Sequence, residues 1–310
     1  MIRKPSGRGS MISSFVRSLR KYWQLYLFIL PTLIFFLIWH YYPMYGVQIA
    51  FRDFMPTRGI WGSKWVGLKN FFTFYSSFYF WRLVWNTLSI SLYQLLVFPL
   101  PIILALSINE VGNSRFKKTI QTITYAPHFI STVVMCSIII IFCGSRGIVN
   151  NIVKALTGDS LNMLGNPSYF KPLLVLSGSW QGMGWGAIIY LGNLASVDME
   201  LHEAAQIDGA TRLHRMWYIN IPCLIPTIVV LLVLQIGNLM SVGFEKVYLL
   251  QNGLNLEASE IISTYVYKVG LTQAKYSLSA AAGFMNSVIN LILLFISNSI
   301  ANKTMSTGLW

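Results

Sequence analysis

The sequence is short of charge, and of acid above all: 10 Asp and Glu stand among 310 residues, and only 11% of the chain is charged. Soluble domains carry about 25% charge, and a soluble fold of this length needs it to cover its surface with solvated groups. Cysteine is scarce as well. Cys136, Cys143 and Cys223 form no CxxC pair, so neither a disulfide framework nor a zinc site is supported. Each lies in or beside an apolar run and reads as a small apolar filler. There is no low-complexity segment and no convincing internal repeat. These absences exclude a soluble enzyme, a secreted disulfide scaffold and a disordered tail.

What is present is apolar. Hydrophobic residues make up 55% of the chain, and the mean hydropathy is +0.56. A spanning helix needs about 20 mostly apolar residues. Six stretches qualify: 25–42, 83–108, 120–143, 173–195, 221–242 and 280–300. The expectation is an all-α, multi-pass membrane protein of one domain, residues 1–310. The first stretch is longer than a signal-peptide core and no small-residue cleavage site follows it, so it is read as retained.

The balance is basic: 23 Lys and Arg give a net charge of +13. In a soluble protein that would suggest nucleic acid. Here the bases lie in loops between apolar runs, where they meet lipid headgroups and fix orientation, and no nucleic-acid partner is expected. Arg3, Lys4, Arg8, Arg17, Arg20 and Lys21 precede the first span with no acid among them. Residues 1–21 therefore read as a basic cytoplasmic N-terminus, and six spans return the C-terminus to the same side. Arg115, Lys117 and Lys118 support this orientation. The remaining bases argue little, since inner segments hold twelve in all and outer segments eleven. The outer segment 43–82 carries Trp61, Trp65, Phe71, Phe72, Phe74 and Phe78 among other aromatics. It reads as packing at the membrane interface, ahead of a role in receiving a partner.

Charges are almost absent from the six cores. Proton relays, ion pathways and voltage sensors place charges mid-span despite an insertion cost of about 2.5–3.5 kcal/mol each. Ion-coupled transport is therefore disfavoured. So is an enzyme, because no nucleophile–base pair or paired carboxylates lie near the membrane. His40 and His128 read as structural. The cores hold neutral amides and rings instead. The fourth stretch has Gln181 and Trp185, with Ser177, Trp180 and Asn193. The fifth has Gln235 and Asn238, three apart on one helix face, and the sixth Asn286 and Asn290. Amides satisfy sugar hydroxyls and rings stack on apolar sugar faces. Gln181, Trp185, Gln235 and Asn238 are thus candidates for a pathway taking a polyhydroxylated solute. The same amides also join helices in lipid, and both roles stay open. Gly178, Gly182 and Gly186 recur every four residues, with Gly184 between, and read as a close-packing face. The run Gly112-Asn-Ser-Arg-Phe-Lys-Lys-Thr119 approaches a phosphate loop. Lys117 stands where the second glycine is required, however, and no strand precedes it. Any ATP that drives this protein is bound by another chain. No cofactor or metal site is expected.

The most informative segment is 197–222. It reads as a helix–turn–helix at the cytoplasmic surface. Asp198 caps the first helix, with Glu200 in its first turn. Gly209 ends it in the left-handed conformation, and a second short helix runs toward Ile221 until Pro222 breaks it. Ala204, Ala205 and Ala210 keep the surface small, so a partner can approach the backbone, with Glu203 and Asp208 as charged contacts. An interfacial amphipathic helix would set those acids against anionic lipid. Partner docking is the better reading.

The pattern Glu203-Ala204-Ala205 with Asp208-Gly209-Ala210, followed by Ile219 and Pro222, resembles the EAA signature of permease subunits of binding-protein-dependent ABC importers. Met216 and Ile221 depart from it by apolar exchanges for Phe and Leu. Leu30-Pro31, Tyr41-Tyr-Pro-Met-Tyr-Gly46, Ile123-Thr-Tyr-Ala-Pro-His-Phe-Ile130 and Gly308-Leu-Trp310 are similar to the subgroup that imports complex carbohydrates and polysaccharide-derived oligosaccharides. The resemblance implies a type I ABC importer permease fold with six transmembrane helices, cytoplasmic termini and a place in the bacterial cytoplasmic membrane. It implies a second permease, commonly a different chain, two ATPase subunits carrying ATP and Mg, an extracytoplasmic solute-binding protein and an oligosaccharide moved by alternating access. Residues 197–222 become the coupling loop, with Glu203, Ala204, Ala205, Asp208, Gly209 and Ala210 as its ATPase contacts. Two alternatives remain. A peptide or another small polar solute would favour charged groups that these cores lack. A stand-alone channel or carrier would leave the EAA loop without a purpose.

Overall fold

The computed structural model describes residues 20–305 and 308–309; Arg3, Lys4, Arg8, Arg17 and Trp310 lie outside them. Helix α1, Trp23–Phe36, continues through a five-residue turn, Leu37–Tyr41, and tightens at Tyr45–Phe51. The rod does not stop before Pro43 as the sequence predicts. Pro43 occupies the first turn of the short helix Tyr42–Met44, and the wide turn before it removes the demand for the N–H that proline lacks. No residue of α1 is buried.

A two-stranded sheet follows, Arg52–Asp53 against Lys64–Trp65, with Trp65 stacked on Phe51 at 5.6 Å. Helices α2, Phe80–Val97, and α3, Leu100–Asn109, form one run bent at Pro99. Then come α4, Ser114–Tyr125; α5, Thr132–Cys143; α6, Ile148–Thr157; and α7, Pro167–Leu194. The chain continues with α8, Met199–Ile207; α9, Arg212–Arg215; α10, Ile221–Gly237; α11, Phe244–Leu250; α12, Ile262–Tyr267; and α13, Tyr276–Met305.

Among the described residues, five helical runs are long and apolar enough to cross a membrane: Trp23–Phe51, Phe80–Asn109, Thr132–Thr157, Arg212–Gly237 and Tyr276–Met305. The predicted stretch 120–143 is not one helix. Asn113 caps α4 by accepting the N–H groups of Arg115 and Phe116, the chain tightens at Ala126–Phe129 around Pro127, and Ser131 caps a new helix. The long apolar run is then 132–157, itself interrupted between Cys143 and Ile148. The predicted stretch 173–195 lies within α7. At 28 residues this helix is about 42 Å long at 1.5 Å per residue, enough to cross, but its Gly, Ser, Gln and Asn residues dilute its apolar character. The predicted break at Pro222 is also absent. Helix α9 passes through the five-residue turn Met216–Asn220 into α10, and that turn accommodates Pro222.

Packing centres on α7 against α3 and on α10 against α13. Ala105, Leu106, Ala187, Tyr190, Leu194 and Leu224 form one core where α3, α7 and α10 meet. A second core gathers α5, α7 and α11 around Met135, Cys136, Leu174 and Val247. Gly184 is the closest approach between elements, since a Cβ there would stand 2.0 Å from the Thr124 carbonyl oxygen. Two predicted polar positions join helices. Asn193 donates to Thr227 Oγ1. Asn290 accepts the Met240 N–H at 2.9 Å and donates to Ser241 at 2.7 Å. Beyond α2, Glu260 is 7% exposed and pairs with Arg82 and Lys268, while Asn86 donates to the Glu257 and Glu260 carbonyls.

Candidate functional site

Two regions carry the residues singled out by sequence. The first is the α8–α9 loop. Asp198 accepts the Glu200 N–H at 3.0 Å and so starts α8. The helix ends in a Schellman arrangement: the Gly209 N–H donates to Gln206 O at 3.1 Å and the Ala210 N–H to Ala205 O at 2.8 Å. The second bond needs Gly209 at φ +78°, a left-handed conformation that costs residues with a Cβ about 1–2 kcal/mol. Thr211 then caps α9 through the His214 N–H. Glu203, Ala204, Asp208 and Gly209 are exposed, and Ala205 and Ala210 are half-buried. Ile207, an apolar side chain, is 88% exposed.

The second region is a cavity of about 560 Å³ walled by α2, α3, α7, α10 and the start of α11. Ligand pockets run from about 300 to 1,000 Å³. Gln235 and Asn238 line it from the end of α10, and Gln94 from α2. Gly178, Gly182 and Gly186 also line it; of these, Gly186 keeps the close-packing role, since a Cβ there would stand 3.2 Å from Pro101. Nothing lies within 4 Å of a Cβ at Gly182. The absence of side chains at Gly178 and Gly182 makes room for the cavity.

Gln181 and Trp185 do not share that wall. Gln181 donates to Ile130 O at 2.8 Å, and Trp185 stacks on His128 at 4.5 Å with the rings nearly parallel. Each sits one residue from the glycine stripe, which turns it by about 100° on an α-helix. Both therefore hold the segment between α4 and α5 against α7, and His128 has a structural partner.

Among the polar residues of the cavity, Gln94 on α2 and a lysine escaped the sequence reading. Lys246, on α11, lines the space near Gly178, where an added Cβ would stand 3.8 Å from Nζ. Its ammonium is buried and has no hydrogen-bond partner. Burial pushes its pKa below the ordinary lysine value. The available signal was a lone lysine four residues beyond the fifth apolar stretch, easily assigned to a loop.

Residues 97–305 match the profile of the family described as binding-protein-dependent transport system inner membrane component. The chain is 44% identical over 299 residues to Protein LplB of Bacillus subtilis (strain 168), covering 96% of this chain and 94% of that protein. It is 44% identical to the polygalacturonan/rhamnogalacturonan transport system permease protein YteP of the same organism, covering 92% and 90%. Among solved structures it is similar to a chain of a bacterial ABC transporter involved in the import of the acidic polysaccharide alginate. The TM-score is 0.86 and the identity 39%, over 94% of this chain and 99% of that one.

Proposed function

The chain belongs to the family of binding-protein-dependent transport system inner membrane components, and from that premise we propose how its parts divide the work. It is a permease subunit of an ABC importer, a multi-pass protein of the inner membrane, and not itself an enzyme. Residues 1–310 act as one transmembrane domain. ATP and Mg are held by separate ATPase subunits, a second permease completes the pathway, and an extracytoplasmic binding protein delivers the solute. That solute is an oligosaccharide. The cavity's amides, Gln94, Gln235 and Asn238, suit hydroxyls, and relatives at 44% and 39% identity are named for polygalacturonan/rhamnogalacturonan and alginate.

The 197–222 loop is the handle by which the ATPase moves the pathway. Glu203, Ala204, Ala205, Asp208, Gly209 and Ala210 form its contact surface, with Ile207 as the apolar anchor. The observation that carries this reading is continuity: just past the Gly209 turn, the helix starting at Arg212 runs without a break into the one that bears Gln235. The test is mild-detergent purification of the tagged chain from its native host, with companion chains identified by mass. A second permease and an ATPase are the expected companions, and Glu203→Lys with Asp208→Lys should lose the ATPase alone. Repeated recovery of this chain by itself, folded, would overturn the reading.

A further inference from the structure

The cavity that takes the solute contains one charge. Among the described residues lining it, Lys246 is the only one with a charged side chain, set among neutral amides, glycines and apolar groups. Its Nζ is buried without a hydrogen-bond acceptor. Glu245, next in sequence, is exposed and makes no ion pair with it. A buried ammonium with no partner is costly, and no ion pair among the described residues offsets that cost. A packing role would have been met by Met or Leu. A Cβ added at Gly178 would stand 3.8 Å from Nζ, so the ammonium lies beside the glycine stripe that lines the cavity.

We propose that Lys246 is the charge-selecting contact of the pathway, and that the oligosaccharide it admits carries carboxylates, as a uronic-acid chain does. This deepens the oligosaccharide-importer reading and rests on it. A carboxylate on the sugar supplies the acceptor that Nζ lacks and forms a charge-assisted hydrogen bond. Gln94, Gln235 and Asn238 remain for the hydroxyls. A single ammonium, a point charge on a flexible stem, matches one monoanionic group per sugar unit. A phosphate or sulfate ester would call for several donors, and Arg forks in particular. The anion sits in a cavity otherwise neutral, where an attraction of this kind is weakened least by water.

The test compares uptake of two probes of one length in the native host: trigalacturonate, and the same trisaccharide with its carboxylates methyl-esterified. Both are measured with wild type, Lys246→Arg and Lys246→Met, each checked for recovery with its ATPase. Wild type is expected to favour the acid. Lys246→Met should cut acid uptake by about tenfold or more, the loss of one charge-assisted hydrogen bond, while ester uptake holds. Lys246→Arg should restore most of the acid uptake. An equal loss for acid and ester in Lys246→Met would overturn the charge role. Wild-type uptake of the ester but not the acid would overturn the uronate class and leave the oligosaccharide importer standing. Uptake of neither by a chain that still assembles with its ATPase would remove the oligosaccharide reading as well.

Discussion

At the scale of single residues, the glycines of α7 divide by what faces them. Gly184 is closed against the Thr124 carbonyl, whereas Gly182 meets open space. Gly184→Ala should lower stability by about 1–3 kcal/mol, as overpacking does, and reduce the melting temperature of the detergent-solubilised protein. Gly182→Ala should leave melting unchanged and act on uptake, because its methyl enters the cavity. Equal melting of the two variants would refute this division. Gly209 is constrained differently, by conformation and not by space, since nothing lies within 4 Å of an added Cβ. Proline cannot reach φ +78° and lacks the N–H given to Gln206. Gly209→Pro should therefore abolish uptake while the chain still inserts, and Gly209→Ala should reduce it only partly. Normal uptake by the proline variant would sink the coupling role of this turn.

At the scale of elements, the end of α10 joins two kinds of polar residue. Asn290 reaches it from α13 to hold Met240 and Ser241, so Asn290→Leu should destabilise the helix pair, read as a lower melting temperature. Gln235 and Asn238 face the cavity, so Gln235→Ala and Asn238→Ala should weaken uptake with melting and ATPase recovery unchanged. If both variants transport normally, these residues only pack. The sequence distinguished these elements unevenly. The α8–α9 loop was legible because a cap and a left-handed glycine are local and written in residue type: Asp198 and Gly209 act on nearby backbone, while the Thr211 cap came only with the structure. The broken third stretch was not, because Pro127 and Ser131 had to outweigh a continuous apolar run. The cavity wall was half legible. Periodicity placed 178, 182 and 186 on one face and 181 and 185 on another, but which face meets a neighbour is decided by α4 and by the segment holding Ile130, far away in sequence. Lys246 was invisible for the same reason, as its surroundings come from α5 and α7.

At the scale of the whole molecule, the second short helix of the coupling loop and the cavity residue Gln235 belong to one continuous helical run, Arg212–Gly237, 26 residues long, which the Gly209 turn joins to the contact surface on α8. Such a run measures about 39 Å. Inserting two glycines after Arg215 should separate the ends. The ATPase should still co-purify and hydrolyse ATP, while uptake is lost. Retained uptake would mean that motion reaches the cavity by another route. The rod is fastened near its middle, where Leu224 is fully buried among α3 and α7 and Thr227 receives the hydrogen bond from Asn193. That makes it a seesaw. From Leu224 the arm toward Arg212 is about 18 Å and the arm toward Gln235 about 17 Å at 1.5 Å per residue. A beam that moved as one piece on such a fulcrum, through the wide turn Met216–Asn220 and past Pro226, would neither magnify nor shrink a displacement; it would reverse it. A pull on the loop in one direction would reach the amides of the cavity at nearly full size, pointing the opposite way.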